Sequence, residues 1–276
     1  MPSSRAARVR RFIVRNPTLV AGLACLMLLA ASAIGAPLLT ARDPQQMRPM
    51  ARLSPPSADQ PFGADHFGRD VFARTLYGGR ISLRVGITVA LISLLIGAAI
   101  GLTSGFYRAL DTVVMRVVDG LMAIPSVLLA LALMALVKAS VETVIAALVV
   151  PEVPRVIRVV RASVLSLREH TMVEGARAIG AGTPRILIRY ILPALVAPLI
   201  VQGTHVCASA ILVESYLSFL GAGTPPHIPS WGNVMAEGRA YVQIGVWILL
   251  FPGLFLMLTV LSINLLGDGL RDRLKV

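Results

Sequence analysis

Residues 174–193 read EGARAIGAGTPRILIRYILP, a charged, turn-broken piece set between two stretches of chain apolar enough to cross a bilayer. Just before and into it, ASVLSLREHTMVEGARAIG repeats apolar residues at helical spacing, with Arg168, Glu169, Glu174 and Arg177 on the other faces. Gly180 and Gly182 end that helix. Thr183 is placed to cap a second one, Pro184 suits its first turn, and RILIRYILP runs straight into the next apolar stretch. The segment 161–192 is thus expected as two helices joined by a sharp turn, lying across the mouth of a membrane bundle with one face free for another protein.

The rest of the chain supplies the bundle. Of 276 residues, 56% are hydrophobic and 14% charged, and the mean hydropathy is +0.77, values far outside the soluble range. The expected class is an all-α polytopic membrane protein with six transmembrane helices. The first span is read at 17–39. Arg5, Arg8, Arg10 and Arg11 precede it and Ala31-Ser32-Ala33 has the form of a secretory cleavage site, but the apolar run continues past that site, so the span is read as uncleaved. A proline-rich connection follows over 40–80, and residues 81–267 are read as a domain of five further helices. Within it, 81–104 carries Gly97, Gly101 and Gly105 at four-residue spacing, a face bare enough for close helix packing. The third span, near 113–137, opens with Arg116 and Asp119, which are spaced to pair. The fourth begins at Thr143 and is interrupted by Pro151, Glu152, Pro154 and Arg155, so a short, bent helix is expected, with Glu152 near the interface or facing the bundle interior. The fifth covers 193–218 and the sixth 244–267. Trp231 and Tyr241, in the loop between them, suit the headgroup zone.

Charge sets the orientation and removes several functions. The formal charge is +12, and in a chain this apolar the basic residues have a topological role at the lipid surface, so nucleic-acid binding is set aside. The two tails, the turn with the start of span three, and the segment 155–189 hold 17 Lys or Arg against 9 elsewhere. The richer side is expected to be cytoplasmic, with the tails 1–16 and 268–276 on it and the 40–80 loop opposite. Cys25 and Cys207 both sit in apolar runs and offer no disulfide framework or metal site. A phosphate-cradling GxxxxGK[ST] loop is absent, since Lys138 and Lys275 follow Val137 and Leu274. HExxH is absent despite Glu169-His170, and four scattered histidines leave an enzyme little room. Intramembrane polar residues Gln202, His205 and Glu214 mark a possible translocation path, and with Glu152 they would be the relay of an ion-coupled transporter, although the spans show no inverted repeat.

EGARAIG followed at distance by LP resembles the cytoplasmic coupling segment of the transmembrane subunits of ATP-binding-cassette importers, whose pattern is E-A-A, three residues, G, nine residues, I-x-L-P. Glu174, Ala176, Gly180, Leu192 and Pro193 fall on its positions; Gly175 departs from the second residue of the triplet and Tyr190 from the isoleucine. Further stretches are similar to the C-type permease of the dipeptide and oligopeptide branch, which also includes nickel and glutathione importers. Among them are FGADHFGRDVFARTLYGGRISLRVG, LDTVVMRVVDGLMAIPSVLLALAL, LVESYLSFLGAGTPP, PSWGNVMAEGR and NLLGDGLRD, and the likeness covers residues 61–274 in order. The resemblance implies a type I, MetI-like transmembrane fold in a bacterial cytoplasmic membrane. It also implies a non-enzymatic permease subunit that binds no cofactor itself. Its partners would be a homologous second permease, two ABC ATPases that use ATP and Mg, and an extracytoplasmic solute-binding protein. ATPase coupling would fall to Glu174, Gly175, Ala176, Arg177 and Gly180, and the favoured solute would be di- or oligopeptides, with nickel, glutathione and opine-type solutes as the alternatives.

Overall fold

The computed structural model describes residues 16–274; the expected tails lie outside them but for Asn16 and the last turn of the final helix. Nothing but helix and connection occurs among the described residues, apart from one isolated bridge between Ala64 and Asp70. Helix α1 spans Pro17–Ile34, with proline in its first turn where no N–H is needed. Gly35 breaks it, and the short α2, Ala36–Leu39, completes the apolar run.

Helix α3, Val71–Phe106, starts about ten residues earlier than the expected second span. Asp70 caps it by accepting from the Phe72 N–H at 3.3 Å. At 36 residues it rises about 54 Å, well beyond the ~30 Å of a hydrocarbon core, so its first turns stand in the polar loop layer. The expected third span is two helices, α4 (Arg108–Met122) and α5 (Ser126–Ala135), meeting at 85°. Pro125 stands at the break and disfavours helix at the residue before it. Asp119 pairs not with Arg116 but with Arg158, at 2.7 Å.

Helix α6, Val141–Leu167, corrects the expected short fourth span. Ser140 and Thr143 form a reciprocal capping box at its start, and the helix continues for 27 residues through Pro151 and Pro154. Its prolines are buried, and the packing on both sides holds the helix together where proline removes ladder hydrogen bonds. After a break come α7 (Thr171–Ala178), α8 (Thr183–Ile186), a π turn at Leu187–Ile191, and α9 (Leu192–Phe219). The π turn directly precedes Pro193, which has no N–H for the regular ladder. Helix α10, Trp231–Gly238, and helix α11, Trp247–Leu274, complete the chain.

Four segments are long and apolar enough to cross a membrane: α1, α3, the run Thr183–Phe219, and α11; the bent α4–α5 pair makes a fifth. Helix α6 has the length for a sixth but carries Glu152, Arg155, Arg158 and Arg161. It sits within the bundle, against α3, α5 and α9.

Small residues set how closely these helices approach. A Cβ on Gly97 would lie 2.5 Å from the Val156 Cβ, and Gly101 and Gly105 meet Val160 and Val164 in the same way. The three glycines therefore form a groove on α3 that receives three valines of α6. Between membrane helices, where lipid is as apolar as leucine, such contact is the main source of association. Gly22 and Gly269 likewise seat α1 and α11 together. These contacts bring the start of α1, the ends of α3, α6 and α11, and α7 to one end of the bundle. The 40–70 loop and α10 lie at the other.

Candidate functional site

Helix α7 stands at the end where α3 and α6 terminate. The expected long helix over 162–180 is divided, because α6 stops at Leu167 and α7 begins at Thr171. Arg168 lies at the break and donates to the Gly105 carbonyl at 3.3 Å, joining the end of α6 to the end of α3. Val173 and Ala176, three apart on α7, are buried in the core cluster that holds Ile186 and Ile191. Glu174, Gly175, Ala178 and Ile179 face outward, Ile179 being 81% exposed. Among the described residues Glu174 has no ion-pair partner, and a Cβ on Gly175 would meet nothing within 4 Å. Arg177 lies over the Phe106 ring, 5.4 Å from its centroid, and so braces α7 against α3.

The turn after α7 explains the glycine of the motif. Gly180 has φ +83°, a left-handed conformation that costs a residue with a Cβ about 1–2 kcal/mol. Its N–H donates to the Arg177 carbonyl at 2.9 Å and the Ala181 N–H to Ala176, also at 2.9 Å. This is the Schellman ending, which satisfies carbonyls the helix would otherwise leave bare. Gly182, not Thr183, is the residue before the next helix, and Thr183 makes no side-chain cap.

The expected path residues separate. Gln202 and His205 lie toward the open face of α9, with His205 exposed. Glu214, twelve residues on from Gln202 and nine from His205, is turned roughly 120° and 180° from them round the helix and is fully buried. It accepts from Ser218 at 2.8 Å and Ser82 at 3.1 Å, and Ser218 continues to Thr224 and Asn233. Those contacts tie α3, α9 and the turn before α10 together, so Glu214 belongs to the fold, not to an open face. Four residues on from His205, Ser209 meets the Glu152–Arg155 pair, of which Arg155 is expected from the sequence only as part of an interruption. Arg155 of α6 donates to Glu152 at 2.8 Å, to Ser209 of α9 at 3.3 Å and to Ser126 of α5 at 3.3 Å. No group of acidic, histidine or cysteine side chains suited to a metal ion occurs among the described residues.

Comparison with known proteins decides what this architecture belongs to. Residues 86–276 match the model of the binding-protein-dependent transport system inner membrane component, and residues 4–56 that of the N-terminal transmembrane domain of oligopeptide transport permease C. The chain belongs to that transport family. This permease is 48% identical over 271 residues to a probable peptide ABC transporter permease protein of Sinorhizobium fredii, covering 98% of this chain and 93% of that one. It is 41% identical to a dipeptide transport system permease protein of Alkalihalophilus pseudofirmus (94% and 86% covered) and 39% to a glutathione transport system permease protein of Pectobacterium atrosepticum (96% and 88%). The MetNI methionine ABC transporter, solved in inward-facing conformations, shares the fold over 70% of the permease and 94% of its own chain, with a TM-score of 0.55 at 19% identity. The permease is thus a multi-pass inner-membrane subunit of an ABC importer.

At the opposite end of the permease, the FGADHFGRDVFAR stretch is a folded knot. Asp65 is fully buried; it accepts from the Phe67 and Arg69 N–H groups at 2.8 and 2.9 Å and from the Arg69 side chain at 2.6 Å. Glu237 of α10 pairs with both Arg69 and Arg74, the latter at 3.1 Å. Burial holds the Glu237 carboxyl above the usual range, opposed by the two guanidinium groups. Trp247 donates to the Ala64 carbonyl at 3.0 Å. Trp231 faces neither lipid nor solvent within this subunit: it is 1% exposed and donates to the Thr75 carbonyl at 3.0 Å, closing α10 onto α3.

Proposed function

We propose that the permease is one of two pore-forming subunits of a peptide importer that works with a homologous permease, two ATPases and an extracytoplasmic binding protein. The exposed α7 carries this reading. It offers an unpaired carboxylate, a bare glycine face and an apolar tip at Ile179, all fixed on a buried side of Val173 and Ala176. Such a face seats in a groove of an ATPase. Both termini and α7 then lie in the cytoplasm, as the basic residues favour. ATP and Mg belong to the partners.

A displacement of α7 would reach the membrane helices through rigid contacts. Arg177 on Phe106 and Arg168 on Gly105 lead to α3. Two pairs lead from α6 to α4: Arg161 with Asp111, where the second contact is 2.6 Å, and Arg158 with Asp119. Moved together, these helices would pass between inward-open and outward-open arrangements, which ATP must favour unequally to drive transport. Peptides are the favoured solute because the relatives named above handle peptides or dipeptides. The glutathione-transport relative supports a second reading within the same chemistry.

Glu174→Lys in the complete importer is expected to leave insertion of the subunit intact and abolish most ATP-driven uptake. Unchanged uptake by a normally assembled complex would remove α7 from the coupling role. Single cysteines at Ala178 or Gly182 should escape impermeant thiol reagents added to intact cells, and ready labelling would reverse the orientation.

A further inference from the structure

Arg155 stands 14 residues from the start of α6 and 12 from its end, about 21 and 18 Å along the axis. It is therefore near the middle of a helix packed within the bundle, and yet its side chain is 39% exposed. A guanidinium at that depth is too costly to turn toward lipid, so its open edge must meet water or polar groups. Its polar neighbours come from two other helices: Ser126 of α5 and Ser209 of α9, with the exposed His205 one turn from Ser209 along α9.

Glu152 makes the arrangement more than a structural pair. Its side chain is 97% buried, one oxygen is held by Arg155 and Ser209, and the other has no hydrogen-bond partner. The carboxylate balances the charge of Arg155, whose side chain still keeps an exposed edge. An unbalanced cation at mid-membrane would hold an anion too firmly to release it. A balanced one attracts a carboxylate locally and lets it leave, which is what a transit site requires.

We infer that Arg155, set by Glu152 and Ser209, is a midway binding site for a solute carboxylate on the translocation path. This rests on the peptide-importer reading and names the part of the peptide that is recognised: its free carboxyl end, taken up by charge-assisted hydrogen bonds from the open edge of the guanidinium.

The test uses the complete importer in vesicles, with Cys25 and Cys207 replaced by alanine and a single reporter, His205→Cys, one helical turn from Ser209. Two water-soluble methanethiosulfonates are compared, one bearing a sulfonate and one a trimethylammonium, with and without ATP. The expected result is reaction in at least one state, with the anionic reagent favoured. Arg155→Gln should lower the anionic-to-cationic rate ratio about tenfold or more, because the two probes feel the lost charge with opposite sign. The neutral double variant Glu152→Gln/Arg155→Gln should lower the ratio less, since a carboxylate is removed with the guanidinium, but still measurably because the exposed member of the pair is the cation. Arg155→Lys should keep the preference. A ratio unmoved by the double variant would overturn the inference, as would failure of both reagents to react in any state. If the ratio falls as expected but the wild-type importer carries no peptide, the carboxylate site stands and the peptide reading fails.

Discussion

The two ends of the permease handle charge in opposite ways. At the loop end, Asp65, Arg69, Arg74 and Glu237 are drawn inside and paired with one another, so that an extended connection becomes a fixed cap over α3, α10 and α11. At the other end, Glu174 is left outside with no ion-pair partner among the described residues, on a helix with two buried side chains, Val173 and Ala176, against the body. The first arrangement is complete within one subunit; the second is complete only when something else is added. Charge that folds a chain and charge that recruits a partner thus look alike in sequence and are told apart by burial.

Removing a member of the buried network should have the largest effect. Arg74 is fully buried between Glu237 and Asp65, so Arg74→Ala leaves two buried carboxylates sharing the single guanidinium of Arg69 and is expected to cost about 3–5 kcal/mol. Denaturant unfolding of the purified complex would show it as a lowered midpoint. A loss under 1 kcal/mol would mean that the loop end is no more self-contained than α7.

A smaller effect of opposite sign is expected at Gly175. Its added Cβ would meet nothing within 4 Å among the described residues, and alanine exceeds glycine in a helix by about 0.5–1 kcal/mol. Gly175→Ala should therefore raise the protection of α7 amides from hydrogen exchange in the isolated subunit. A decrease there would show that this face already packs on something inside the chain.

How much of this could be read from the residues depends on whether a feature is local. The all-helical class, the boundaries near 192 and 219, the glycine groove at 97, 101 and 105, and the end of α7 at Gly180 all follow from periodicity and turn chemistry within a few residues. The length of α6 does not: Pro151 and Pro154 predict interruption, and only the helices packed around them keep the segment straight enough to continue. The start of α3 at Val71 was hidden by its polar first turns, since Arg74 and Arg80 read as loop until their partners at Glu237 and the α1 end are placed beside them. Glu214 and Arg155 show the same limit for the site. Both are ionisable residues in apolar helices; the serines around one and the opening before the other come from different helices, and no spacing in the sequence brings them together.

The finest distinction between the two ends is in pH response. His66 lies in the loop-end knot, its ring stacked on Tyr241 with centroids 5.1 Å apart and its Nδ1 buried without a partner. Burial pushes its pKa below 6.5; Asp65 opposes this and Arg69, Arg52 and Arg74 assist it. The neutral ring is thus preferred in the fold. Its contribution is complete above 6.5 and is lost as pH falls through the lower folded value. Asp70 and Glu237 act in the opposite sense, because burial raises both; their contribution is full below about pH 4 and declines as pH rises. His66 is therefore the group that weakens the knot on mild acidification. Limited proteolysis of the 40–70 loop should accelerate between about pH 7 and 5, and His66→Phe, which keeps the stacking and removes the titration, should flatten that step. Helix α7, whose outer face holds no buried ionisable group, should show no such step in the same experiment. An equal rise in cleavage at both ends would trace the response to the whole bundle and remove His66 as its source.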